Sequence, residues 1–107
     1  MIRHIVFFSA RKREDVERIA EELGMLGQIP HSDFFEIGIN RKVDQLGGEV
    51  DVVVYGEFRD EAALAAYKAH PIYAECITKV RPLREMRLAA DFVSKAGAAG
   101  SGGRKGR

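Results

Sequence analysis

The pattern of residues predicts an α+β protomer: one four-stranded antiparallel sheet with two helical segments on one face, paired with a second copy into a dimeric α/β barrel. Three observations carry this. Strand-like and helix-like segments alternate in the order βαββαβ, the split-βαβ arrangement. All six phenylalanines (Phe7, Phe8, Phe34, Phe35, Phe58, Phe92) fall on strand segments. The strands are apolar on both sides, whereas a sheet with one side in water alternates apolar and polar residues. Two helices cover only one face, so the other calls for a cover. The same face of a second subunit, related by two-fold symmetry, provides it.

Each element has its own justification. Residues 1–8 read as a strand with Ile2, His4, Val6 and Phe8 on one face and Arg3, Ile5 and Phe7 on the other. Residues 11–26 read as a helix, since Val16, Ile19, Ala20 and Leu23 repeat at i, i+3, i+4, i+7. Gly24 and Gly27 weaken its end and Pro30 stops it. Residues 33–42 form a second strand around Phe34, Phe35, Ile37 and Ile39. A polar turn with Asp44, Gln45, Gly47 and Gly48 leads to a third over 50–59. There Val52, Val54 and Phe58 oppose Val53 and Tyr55. Asp60 is suited to cap an alanine-rich helix from Glu61 to His70. Pro71 interrupts it, and a second piece runs to Val80 with Tyr73, Ile77 and Val80 on one side. Residues 84–93 close the sheet with Leu88, Ala90 and Phe92 on one side.

A chain of 107 residues accommodates one domain, here residues 1–93. Residues 94–107 are a Gly-rich basic tail, expected to be disordered because it has too few apolar residues to offset the entropy of ordering. Charge divides the same way. Residues 1–93 hold all 16 acidic and 13 of the 17 basic side chains, a net of −3, and the tail holds the other four basics. An acidic body argues against nucleic acid as a partner. The apolar start of the chain ends at Arg11-Lys12-Arg13, too short for a signal peptide or a membrane span. A cytoplasmic setting with no membrane association is therefore expected. The lone Cys76 reads as a small buried hydrophobe.

Four side chains stand out chemically. Tyr67 and His70 lie at i, i+3 on one helix, and Tyr73 follows across the Pro71 break. A proline break leaves polar groups in need of partners and opens space. A phenol and an imidazole converging there can act as general acid and base on a small carbonyl compound. Tyr67 and His70 are thus the candidate catalytic pair, with His4 and Tyr73 lining the pocket. The plainer reading has the tyrosines packing helix on sheet, His70 capping the helix end and His4 as a hydrogen-bonded core residue. His31, after Pro30 in a loop, is expected to be exposed. His4, His31 and His70 show no metal-ligand spacing, and the glycine pairs follow no phosphate-loop pattern, so no metal and no cofactor is implied.

Three motifs together carry a resemblance over nearly all of residues 1–93: the opening Met1-Ile2-Arg3-His4-Ile5-Val6-Phe7-Phe8, the segment Tyr67-Lys68-Ala69-His70-Pro71, and the closing Ala90-Asp91-Phe92. In these the chain resembles the stress-responsive A/B barrel (Dabb) family of dimeric α/β barrels. The resemblance implies a ferredoxin-like protomer, a homodimer and a small-molecule cavity between sheet and helices. It also implies, for its few cyclase members, polyketide-like substrates and a pocket with a strand histidine, a helix tyrosine and a second histidine after the His-Pro pair. His4 and Tyr67 match the first two. The last departs, because the family pattern HPxH reads here His70-Pro71-Ile72-Tyr73, and a tyrosine with an ordinary pKa near 10 is no base at neutral pH. Two functions stay open: cofactor-independent acid–base chemistry on a carbonyl or polyketide-like compound, or a non-catalytic stress-related dimer that binds a ligand or partner.

Overall fold

The computed structural model describes residues 1–96, and its elements follow the expected order. Strand β1 (Ile2–Ala10) buries Ile2, His4, Val6 and Phe8 and leaves Phe7 exposed, as its alternation dictates. Helix α1 (Val16–Gly24) buries Ile19 and Leu23. It is shorter than the expected 11–26, because its flanks are 3-10 turns at Arg13–Asp15 and Met25–Gln28. Asp15 makes no side-chain cap to extend the start, and the glycines weaken the end.

Strands β2 (Phe34–Ile39) and β3 (Val52–Phe58) are likewise shorter than expected. Between them Lys42 and Gly47 turn into the left-handed region, at φ 57 and 116, which ends a ladder. Asn40 donates from its side chain to the carbonyls of Gly47 and Val50, at 3.1 and 2.8 Å, holding the connection. Asp51 accepts from the Ala10 backbone N–H at 2.8 Å, where β1 slips its register, and from Lys42 at 2.5 Å.

Helix α2 (Glu61–Ala69) starts where expected, with the Asp60 carboxylate accepting from Ala63 N–H at 2.9 Å. Helix α3 (Pro71–Val80) begins on the proline itself, at the position where its missing N–H costs nothing. His70 between them is extended (φ −69, ψ 143), the conformation a following proline imposes. Strand β4 (Arg84–Val93) spans the residues expected.

The sheet is antiparallel throughout, in the order β2-β3-β1-β4. One face packs on the helices and holds the core, with Val6, Phe8, Val52, Val54 and Phe58 against Ile19, Leu23, Leu64, Tyr67 and Val80. Burying each such large side chain stabilises the fold by roughly 1.5–3 kcal/mol. Among the described residues no helix covers the opposite face. There Phe7, Phe34, Leu88 and Phe92 remain 38 to 57% exposed. Ser94 still donates its backbone N–H to the Met1 carbonyl at 2.9 Å. The expected disordered tail, from residue 97 on, lies outside the described residues.

Candidate functional site

The centre of β1 determines the site. Pairing sets His4 opposite Gly56 of β3 and opposite Asp91 of β4. Gly56 has no side chain to crowd the imidazole. A Cβ there would come within 3.0 Å of the Phe58 ring, so glycine is what lets that ring lie beside His4. The His4 and Phe58 rings meet edge-on, with centroids 6.1 Å apart. On the other side His4 Nδ1 lies 2.5 Å from Asp91 Oδ1. A carboxylate only accepts, so the proton of this bond belongs to Nδ1, which leaves Nε2 as the nitrogen that can accept in the neutral ring. His4 is 1% exposed.

Tyr67 reaches down from α2 onto the same spot. Its ring centroid lies 6.0 Å from that of His4, 4.9 Å from Phe58 and 5.3 Å from Tyr73 of α3. It is as buried as His4, and its hydroxyl makes no hydrogen bond to any described residue. Burial, and secondarily the neighbouring Tyr73, push its pKa far above the usual phenol value, so it stays protonated as a donor without an acceptor. Leaving such a group unpaired costs about 1–3 kcal/mol.

These residues border a cavity of about 250 Å³ between α3 and the sheet. His4, Tyr67 and Tyr73 line it, with an apolar wall including Val6, Phe8, Leu26, Val54 and Val80. Arg81, Arg84 and Arg87 line it too. The Tyr73 hydroxyl accepts a long hydrogen bond from Arg87, at 3.4 Å. Cys76 borders the cavity with its thiol donating to the Glu22 carbonyl at 3.6 Å, and burial first, then Glu22, push its pKa up to about 11. It is a packed, unreactive thiol at neutral pH.

Three of the four expected site residues therefore meet, and His70 does not. It is absent from the cavity wall. Its Nδ1 accepts the Ile72 backbone N–H at 3.1 Å and its carbonyl accepts from Tyr73 N–H at 2.9 Å. His70 itself satisfies the groups that the break at Pro71 frees, and it does so outside the cavity. The His70 ring turns to His31, with centroids 6.1 Å apart, and His31 is half-buried rather than exposed. Asp91 and the three arginines were missed in the sequence. Asp91 stood in view as part of the Ala90-Asp91-Phe92 motif, and only strand pairing ties it to His4. Among the described residues no three His, Cys, Asp or Glu side chains cluster as a metal would require.

The family model of the Stress responsive A/B Barrel Domain (Dabb) matches residues 2–94. The chain belongs to this family. No curated protein matches this Dabb domain significantly. Among solved structures it is similar to a dimeric ferredoxin-like protein of unknown function from Jannaschia sp., at 23% identity over 87% of this chain and 98% of that one, TM-score 0.76. It is similar to a Dabb family protein with a ferredoxin-like fold from Mesorhizobium loti, at 26% identity over 87% and 95%, TM-score 0.68. A hydroxynitrile lyase from Passiflora edulis has the same fold at 18% identity over 89% and 94%, TM-score 0.72. The split-βαβ topology, the covered face and the open face of this Dabb domain are thus those of a ferredoxin-like protomer. No helix among its described residues is long and apolar enough to cross a membrane.

Proposed function

We propose that this Dabb domain is a homodimer whose pocket moves a proton on a carbonyl compound, polyketide-like in the family's manner, without a cofactor. One observation carries the reading: a buried phenol with no acceptor among the described residues stands beside a carboxylate-held imidazole in one cavity. His4 Nε2 takes a proton from the carbon next to the carbonyl. Asp91 orients the ring and stabilises the imidazolium that forms, as the acid does in a catalytic triad. Tyr67 donates to the carbonyl oxygen as negative charge develops on it. With ring centroids 6.0 Å apart, a single carbonyl unit can touch both groups. His4 thereby takes the part that spacing alone assigned to His70. The fold supports catalysis elsewhere, since one neighbour is a lyase. The dimer is supported by the uncovered apolar face and by a solved neighbour described as dimeric.

The test is hydrogen–deuterium exchange at the α-carbon of 1,3-diketones and β-keto esters in D2O, followed by NMR. His4→Ala and Asp91→Asn should each slow the exchange by about 10²-fold or more, Tyr67→Phe should also slow it, and His70→Ala should not. Exchange that survives His4→Ala unchanged sinks the mechanism. A second reading, ligand binding without turnover, draws on Tyr73, which occupies the place of a second histidine and contacts Arg87. Binding of these compounds with no exchange above the buffer rate would select it.

A further inference from the structure

The arginines of the cavity wall have no part in the proton transfer, yet three of them border one apolar cavity, Arg84 half-buried and Arg81 and Arg87 exposed. Residues 1–93 carry a net −3, but Arg81, Arg84 and Arg87 gather at one mouth of an apolar cavity. None of the three forms an ion pair with a described carboxylate. Arg11 adds a fourth guanidinium close by, its Nε donating to the Arg84 carbonyl at 3.0 Å. Arg81 has a structural reason to be there, since it follows the last turn of α3 and a cation favours a helix C-terminus. That reason does not extend to Arg84 and Arg87 on β4. Four guanidiniums with no described carboxylate paired to them repel one another, and an oxyanion relieves them through the bidentate geometry that guanidinium offers.

Strand register measures the distance from this cluster to the reacting groups. Arg87 pairs with Phe8 and Asp91 with His4, without a slip between them. Four residues of strand separate the two by about 13 Å, with both side chains on the helix-facing side. Between them lie Ala89 and the apolar wall. From this we infer that the pocket takes an amphiphilic organic anion, its carboxylate or phosphate head on Arg84 and Arg87 and its apolar body running toward His4 and Tyr67. This deepens the proposed function and rests on it, assigning the carbonyl compound a remote anionic head.

The probes are octanoate, octyl phosphate and 1-octanol, which share a body and differ in the head, titrated calorimetrically into the full chain. At least one of the two anions should bind tenfold or more tighter than octanol, and the tighter one identifies the head. The Arg84→Gln/Arg87→Gln double variant should bring anion and alcohol within threefold of each other. Arg59→Gln, which removes an arginine paired with Asp33 outside the cavity, should retain the preference, and circular dichroism confirms that each variant is folded. Equal binding of all three probes overturns the inference while leaving the pocket intact. So does a preference that Arg59→Gln weakens as much as the double variant, because it then reflects overall charge. Binding of none of the probes also overturns it, and the α-carbon exchange assay then decides separately whether the proton-transfer reading stands.

Discussion

The two faces of the sheet are built from the same strands and nearly the same residue types, yet they have opposite fates. On the helix side Val52, Val54 and Phe58 are at most 1% exposed. On the other, Phe7, Leu88 and Phe92 of neighbouring strands stand half in water. Polar residues follow the same divide. Among the described residues the His4 ring on the helix side has a single hydrogen-bond partner, and the Tyr67 hydroxyl above it has none. On the open side Arg3, Tyr55 and Glu57 satisfy one another: Arg3 donates to Tyr55 at 2.5 Å and to Glu57 at 3.0 Å, and Tyr55 donates to Glu57 at 2.6 Å. A closed network such as this can be covered by another surface without stranding a charge. Unfinished polar groups that border a cavity instead leave hydrogen-bonding capacity facing open space. The contrast separates a surface ready to be covered from a site ready to be filled.

The largest expected effect tests the packed side. Phe58→Ala empties the space beside His4 and Tyr67 and should cost about 3–5 kcal/mol of unfolding free energy in urea titrations. A loss under about 1 kcal/mol would show that the ring is not part of a close-packed core. Next comes the open side. Leu88→Glu should turn the proposed dimer into a folded monomer in sedimentation at micromolar concentration, with protomer stability changed by about 0.5 kcal/mol or less. A variant that still sediments as a dimer places the interface elsewhere.

Tyr67→Phe probes the unfinished group directly. Removing an unpaired buried hydroxyl should leave the melting temperature unchanged or raise it, by up to about 1 kcal/mol of stability, while α-carbon exchange slows. Lower stability would mean the phenol has a partner after all. The smallest effect is that of Cys76. Burial pushes its pKa up to about 11, above the 9.0 of an ordinary thiol, so the folded state holds the proton more tightly. The contribution is complete below pH 9 and is lost as pH rises toward 11. Alkylation by iodoacetamide at pH 8 should be slow in the native protein and fast in urea, and Cys76→Ala should flatten the stability loss over that alkaline range.

Much of this was legible in the chain. The i, i+3, i+4 stripe of Val16, Ile19, Ala20 and Leu23 located α1, the Asp60 cap located α2, and the apolar residues on both sides of β1 and β3 anticipated an uncovered face. These signals are local, set by periods of 3.6 and 2 and by one hydrogen bond at a helix start. His4, Tyr67 and Tyr73 stood out in the sequence, each a polar ring within an apolar stripe, and the structure brings the three to one cavity.

His70 shows where local reasoning stops. Its i, i+3 spacing from Tyr67 holds only while the helix continues, and the extended conformation before Pro71 rotates the side chain away toward His31. The meeting of His4 with Asp91, 87 positions apart, depends on β1 lying next to β4 in one exact register. A slip of one residue would send Asp91 to the open face and leave the imidazole without a partner. Arg84 and Arg87 on β4 reach the cavity through the same pairing, and Gly56 comes to lie beside His4 through the pairing of β1 with β3. Sequence alone determined which elements form and which of their faces are apolar, because those properties repeat over a few residues. Tertiary structure decided which side chains share a cavity, because strand order and register bring together residues that no local period relates.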